Sequence, residues 1–295
     1  MTLYTHIDSN IRKTWMLFGV FFIIVIGLGW FLSYYFDDQI ILFIAVFVSI
    51  FMSFISYWFS DKIVLAMSRA NLLTHEQAPE LYHVVENLTI TAGLPMPRIY
   101  LIDDPSPNAF ATGRDAKHAV VAVTRGLLEI LDKTELEGVI AHELSHIGNK
   151  DMLLQTAVVV LVGVITMIAD IFIRGRFFGR KSNDRGGGQV GAILMIVGLV
   201  FIILSPVFAK LIQFAISRKR EYLADASGAL LTRYPEGLAR ALEKISQNPI
   251  PLQIVNKATA HLFIASPFGG KKISNLFSTH PPAEERVKRL REMSF

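Results

Sequence analysis

Two long uncharged blocks near the amino terminus constrain the fold of this chain more than any other feature. No charged residue occurs from Thr14 to Phe36, and none occurs from Gln39 to Ser60. A helix needs about 20 apolar residues to cross the hydrocarbon core of a bilayer, and each block reaches that length. The whole chain, with a mean hydropathy of +0.43, is also more apolar than an ordinary soluble domain. The sequence therefore predicts a transmembrane hairpin within residues 1–60.

Two further apolar blocks lie in the second half of the chain. One runs from Met152 to Ala169 and then meets Asp170, and the other runs from Gln189 to Ala209 and contains Pro206. Both are long enough to span a bilayer, but a buried hairpin remains open as an alternative. The chain divides accordingly into the N-terminal hairpin at 1–60, the first half of a polar domain at 61–151, two hydrophobic helices joined by a basic, Gly-containing loop at 152–209, and the second half of the domain at 210–295.

The distribution of basic residues predicts which side of the membrane the polar domain occupies. Arg12 and Lys13 precede the first block, and Lys62 and Arg69 follow the second. By the positive-inside rule, both ends of the hairpin then face the cytoplasm. The basic loop at 174–188 disagrees, because four full crossings would place it outside. The first hairpin has the cleaner apolar blocks, so we expect the domain in the cytoplasm.

Cysteine content and charge exclude several other classes of protein. The chain has no cysteine, so it forms no disulfide and no thiolate metal site. Its net charge of +4 is only a mild excess, and we expect no nucleic-acid partner. It also lacks a Gly-rich phosphate-binding loop, a heptad array and an internal repeat. The expected partners are a lipid bilayer and membrane-protein substrates, and no oligomeric state is predicted.

The first polar half predicts a small sheet beside a helix. Local patterns indicate, in order, a helix over Glu76–Ala92 that ends at Gly93, a strand over Arg98–Ile102, a turn-rich connection over 103–115 and a strand over His118–Val123. Thr134 and Glu137 then fit a capping box that starts a second helix. In such an arrangement an extended peptide can add to the sheet edge.

The run His142-Glu143-Leu144-Ser145-His146 lies in that second helix and indicates a catalytic zinc site. Residues four apart share a helix face, so both imidazoles point to one place, and zinc accepts neutral histidine nitrogens. Glu143 would lie beside the position left for water and would take its proton during attack on a peptide carbonyl. The alternative is a surface helix with two unrelated histidines.

Two histidines leave such a site one protein ligand short. Glu221 and Asp225 lie four apart in the second polar half, so one helix face can offer one carboxylate to zinc and another to a ligand imidazole. Composition alone does not choose Glu221 over Glu137 or Glu243. A solvated charge cluster on an interfacial helix explains the same spacing.

Taken together, the motifs resemble a known family. After the two apolar blocks come Pro107–Gly113 (PNAFATG), His142–Asp151 (HELSHIGNKD), Arg220–Asp225 (REYLAD) and Ser278–Pro282 (STHPP). This combination covers essentially the whole chain and resembles the HtpX family of membrane zinc metalloproteases, relatives of the CAAX prenyl proteases. The resemblance implies an α-helical membrane protein with an α+β zincin-like (gluzincin) metalloprotease domain. It also implies a multi-pass protein of a bacterial inner membrane.

The resemblance implies roles for five residues around the metal. It assigns one Zn²⁺ per subunit to three ligands, His142, His146 and Glu221. It makes Glu143 the general base. It gives Asp225 the hydrogen bond to a ligand imidazole that the spacing had suggested.

Three other residues of these motifs are less closely tied to the chemistry. By the resemblance, Asn108 would flank the substrate, and His280 would face the active site and steady the oxyanion. The alternative for Asn108 is an ordinary turn residue, and for His280 it is a capping residue ahead of a helix. Asp151 completes the pattern after the two histidines but receives no function.

The expected activity is that of a zinc metalloendopeptidase acting on membrane or membrane-adjacent proteins. The resemblance implies quality control of misfolded or damaged substrates during stress. Prenyl-protein processing uses the same chemistry, but those relatives carry more spans around an enclosed chamber. A membrane protein with a structural zinc site is the alternative from another class, and the intact Glu143 argues against it.

Overall fold

The computed structural model of the protein describes residues 3–159, 218–253, 259–268 and 281–293. Most of the predicted hydrophobic helices at 152–209, the basic loop at 174–188 and His280 lie outside these residues. The described elements are α1 (Leu3–Phe36), α2 (Gln39–Trp58), α3 (Ser60–Met67), β1 (Asn71–Leu72), α4 (Pro79–Ala92), β2 (Arg98–Ile102), β3 (Ala109–Thr112), β4 (Val120–Thr124), α5 (Arg125–Ile130), α6 (Lys133–Gly148), α7 (helical residues 152–159), α8 (Arg218–Thr232), α9 (Pro235–Gln247) and α10 (Ala283–Arg291).

Helices α1 and α2 form an antiparallel hairpin whose turn begins at Asp37. The side chain of Asp38 caps α2 by accepting from the Ile40 N–H at 2.9 Å. Within the described part of the chain, Asp8–Tyr35 and Gln39–Trp58 are long and apolar enough to cross a membrane. Large apolar side chains such as Ile23 and Phe43 stay exposed on the hairpin. Their exposure is typical of helices that face lipid.

The sheet is mixed, with strand order β1-β2-β4-β3. Strand β2 has the predicted bounds, and Gly93 ends α4 in the left-handed conformation with φ of 64°. Strand β4 begins later than predicted, because residues 116–118 form a turn that the Asp115 side chain holds by accepting from the His118 N–H. The connection predicted as turn-rich contains β3, whose four residues are all buried. The sequence did not predict this short strand, because the Pro, Asn and Gly residues that flank it are typical of turns.

Helix α6 begins earlier than the sequence predicted, and a different pair of residues caps it. Asp132 is the N-cap and Glu135 completes the capping box, with reciprocal bonds of 2.9 Å each. The predicted cap, Thr134, instead donates to the Asp132 carboxylate. Both pairs have the required spacing, but Glu135 is buried and also binds Lys244 at 2.6 Å. That tertiary contact favours the earlier start.

The main core lies between the sheet and the helices α4, α6, α8, α9 and α10, with α6 at its centre. Two glycines allow neighbouring helices to approach the α6 backbone closely. A Cβ at Gly138 would lie 2.6 Å from the Leu238 nitrogen, and a Cβ at Gly228 would lie 2.9 Å from the His142 nitrogen. The second contact sets the face of α8 directly against the first histidine of the motif.

Candidate metal centre

Three buried side chains converge where α8 crosses α6. The Nε2 atoms of His142 and His146 lie 3.2 Å apart. Carboxylate oxygens of Glu221 lie 3.9 Å from the first of these nitrogens and 3.6 Å from the second. All three potential ligand atoms lie within 4.8 Å of one another.

This donor set fits a zinc ion. Two ligand atoms at zinc-bond lengths of about 2.1 Å and tetrahedral angles are separated by about 3.4 Å, close to the spacing observed here. Two imidazole nitrogens and one carboxylate oxygen also match the ligands that catalytic zinc sites use. The residues present are therefore compatible with the metal that the resemblance implies.

Each histidine is oriented by a carboxylate on its far side. The Nδ1 of His142 lies 2.9 Å from Asp225, and the Nδ1 of His146 lies 3.1 Å from Asp151. With each Nδ1–H donating to a carboxylate, each Nε2 is directed at the centre, and this is the nitrogen that would give up any proton to bind a metal. Asp225 therefore lies against the first of the two histidines. Asp151, which sequence reasoning left without a function, makes the equivalent contact to the second histidine.

Arg286, on α10, is a member of the site that sequence reasoning missed. Its side chain is only 2% exposed, and it donates from Nε and Nη2 to the two oxygens of Asp225 at 2.9 and 2.7 Å. Its Nη1 also donates to the Ile264 carbonyl at 3.2 Å. Nothing in the spacing of the Glu/Arg-rich C-terminal segment distinguishes this arginine from Arg289 or Arg291. The fixed guanidinium holds Asp225 in the orientation that His142 requires.

The pKa values of the titratable groups differ according to their neighbours. Burial raises the pKa of the Glu143 carboxyl to about 7, although the Ala111 N–H donates to it. Burial and the charge of Arg286 lower the pKa of His142 to about 4, even though Asp225 opposes them. Burial also acts to lower the pKa of His146, but Asp151 and Glu221 more than offset it and hold the value at about 9. A carboxyl with a pKa near 7 can both take and return a proton at neutral pH.

Asn108 is not part of this cluster. Its Nδ2 donates to the Ala265 carbonyl at 3.0 Å, and its Oδ1 accepts from the Ala265 and Ala109 N–H groups at 3.2 Å each. The Ile264 N–H also donates to the Ala109 carbonyl at 2.9 Å. The amide therefore ties the start of β3 to residues 264–265, and the protein itself occupies that part of the sheet edge.

Comparisons with known proteins agree with one another. The model of peptidase family M48 matches residues 75–294. A protease HtpX homolog from Dictyoglomus turgidum is 48% identical over 293 residues, which cover 99% of this chain and 95% of that protein. Another, from Caldanaerobacter subterraneus, is 44% identical over 301 residues, with coverage of 99% and 98%. The crystal structure of S. mikatae Ste24p is similar in fold, with a TM-score of 0.50, 19% identity and coverage of 97% of this chain and 67% of that one.

Proposed function

This chain belongs to peptidase family M48 and is a membrane metalloprotease of the HtpX type, and from that premise we propose that it is a zinc-dependent endopeptidase that cleaves misfolded or damaged membrane proteins. One observation carries the proposal: three buried zinc-type donors, from His142, His146 and Glu221, converge beside the Glu143 carboxyl. A site that only stabilised the fold would not need this fourth group.

The chemistry is divided between the metal and Glu143. His142, His146 and Glu221 would hold a zinc ion, which would supply Lewis-acid chemistry and make water a stronger nucleophile. Glu143 accepts the proton of the attacking water and later returns it to the leaving amine. Burial raises its pKa, and the Ala111 N–H donates to the carboxylate.

Asp225 and Asp151 hold the two histidine rings in the orientation that metal binding requires. Each carboxylate accepts from the Nδ1–H of one histidine, so neither imidazole can turn its Nε2 away from the centre without losing a buried hydrogen bond. Removal of an outer carboxylate of this kind commonly weakens metal binding by about 10- to 100-fold.

The direct packing of α8 on α6 supports one cytoplasmic domain built from 61–151 and 210–295. Zinc–ligand bonds are about 2 Å long, whereas the hydrocarbon core is about 30 Å thick. Glu221 must therefore lie on the same side of the membrane as the two histidines. The crossings within 152–209 stay a prediction, as do the inner-membrane location and the substrate role of His280.

The proposed class of substrate follows from the position of the site. Helix α7 continues from the metal-site helix after a short break, and its side chains pack against α1, a candidate span. A site so close to the spans is accessible to segments of neighbouring membrane proteins that have lost their packing. Quality control is the physiological role that this placement and the family together favour.

Replacement of Glu143 by Gln tests the proposal. We expect zinc content to remain one per chain while cleavage of casein, and of a destabilised membrane protein in nanodiscs, falls on the order of a hundredfold or more. Glu137→Gln, on the same helix but outside the cluster, is the matched control and should cleave at the parent rate. Near-normal turnover by Glu143→Gln would overturn the mechanism. A parent protein that binds zinc but cleaves nothing would instead indicate a structural site.

A further inference from the structure

The first half of α1 packs against α7, the helix that follows the candidate metal site. Buried apolar side chains from the two helices form one cluster, which comprises Leu17, Phe18, Phe21, Leu154, Ala157 and Val158. This packing brings the beginning of α1 to the end of α6, next to the residues that complete the HELSHIGNKD motif. The family match begins at residue 75, so α1 lies outside it.

One polar side chain of α1 reaches into this junction. Asn10 is 3% exposed, and its Nδ2 donates to Asp151 Oδ1 at 2.6 Å and to the Asn149 carbonyl at 3.1 Å. Asp151 is 0% exposed, and its other oxygen faces His146 Nδ1 at 3.1 Å. A continuous hydrogen-bonded path therefore runs from α1 through Asp151 to a candidate metal ligand.

A buried arginine next to Asp151 shows why the hydrogen bond from Asn10 to Asp151 is important. The Arg220 Nε lies 3.8 Å from Asp151 Oδ1, beyond hydrogen-bond distance, and the guanidinium has no hydrogen-bond partner among the described residues. A buried carboxylate and a buried guanidinium attract each other strongly, because water does not screen them. The Asn10 amide donates to the same oxygen, Oδ1, and therefore competes with Arg220 for it.

We propose that Asn10 is a positioning residue for the metal site, and that α1 therefore helps to build the site as well as anchoring it. Asn10 occupies one oxygen of Asp151, so that the other stays directed at His146 and keeps the Nε2 of that ring facing the centre. The inference rests on the proposed zinc site at His142, His146 and Glu221. If Asn10 has this role, the affinity for the metal depends on how the first membrane helix packs against the domain.

Zinc affinity of the detergent-purified full chain tests the inference. We expect Asn10→Leu, which is nearly the same size, to raise the Kd for Zn²⁺ about tenfold in competition with a chelator, the lower end of the range for outer hydrogen bonds. The d–d absorption of the Co²⁺-loaded protein should also shift, since the orientation of His146 changes. Asn10→Ser, too short to reach Asp151, should give the same loss if the leucine variant does not fold.

Two controls separate positioning from packing. Thr14→Val alters a buried residue one turn along α1 whose hydroxyl donates to the Asn10 carbonyl at 2.9 Å, and it should leave the Kd and spectrum unchanged. In an Asp151→Asn background, Asn10→Leu should change the Kd by less than about twofold, because coupled residues are not additive. A parent-like Kd and Co²⁺ spectrum in both Asn10 variants would overturn the inference and leave the zinc site intact. A parent protein that binds no zinc would overturn both.

Discussion

Replacement of Arg286 by Gln is expected to destabilise this protein more than any single change on its surface. Arg286 is buried beside Asp225 and makes two charge-assisted hydrogen bonds to it, at 2.9 and 2.7 Å, and a third bond to a carbonyl. The shorter, neutral glutamine cannot reproduce this fork. In the parent, burial acts to raise the pKa of Asp225, but Arg286 and His142 hold it at about 2, so the variant leaves this buried carboxylate without its main counter-charge.

The expected magnitude follows from burial. Removal of one partner of a buried ion pair costs about 3–5 kcal/mol, because the other charge is left without compensation. For a protein of this size, that corresponds to a fall in Tm of roughly 6–20 °C. Because Asp225 also orients His142, zinc affinity should fall by about 10- to 100-fold in the same variant.

The same helix provides a matched control. Arg291 makes four hydrogen bonds of 2.8–3.0 Å to Glu236 and Glu243, so by distance alone it is bonded better than Arg286. Adjacent carboxylates raise the pKa of both guanidiniums. For Arg291 the main cause is its hydrogen bond to Glu236. For Arg286, burial acts to lower the pKa, and Asp225 more than offsets it. Arg291 is at the surface, where water and salt screen the pairs.

Thermal unfolding in detergent, followed by circular dichroism, together with chelator competition for zinc, measures both effects. Arg291→Gln should change neither Tm nor zinc affinity appreciably. If Arg286→Gln unfolded at the same temperature as Arg291→Gln and bound zinc like the parent, the argument that burial decides the strength of these pairs would be wrong.

Three further predictions concern helix packing, the third ligand and topology. Gly228→Ala places a methyl group 2.9 Å from the His142 nitrogen, so it should lower the free energy of unfolding by about 1–3 kcal/mol and weaken zinc binding. Gly148→Ala, whose nearest contact is 3.9 Å, is the control and should be neutral. Equal Tm values for the two variants would contradict this. Glu221→Gln should lower zinc occupancy measured by metal analysis, and full occupancy would move the third ligand elsewhere. Reporters fused near Asn71 and Asn248 should both show the cytoplasmic face, and opposite faces would rule out a shared metal site.

Local patterns in the sequence were sufficient for the elements that depend on near neighbours. The uncharged blocks predicted α1 and α2, because span length depends only on composition and rise per residue. The HExxH spacing predicted that His142 and His146 share a helix face, since a helix places residues four apart on one side. Gly93 marked the end of α4, because few other residues adopt its left-handed conformation.

Where two local solutions were equally good, tertiary contacts chose between them. Thr134 and Asp132 both have a glutamate three residues later, and the burial of Glu135 against Lys244 selected the earlier cap. Strand β3 was hidden for a related reason. Its pairing with β4, not its own composition, makes Ala109–Thr112 extended.

Only the tertiary structure decided which distant residues surround the two histidines. Close packing at Gly228 brings Glu221 to the cluster, whereas Glu243 instead binds Arg291 at the surface. Asn10 and Arg286 join the site across most of the chain, one from the first helix and the other from the last. Sequence spacing carries no information about such contacts, because they depend on how whole helices pack. The sequence by itself placed His142, Glu143 and His146 on one helix, and the fold determined which side chains hold them in place.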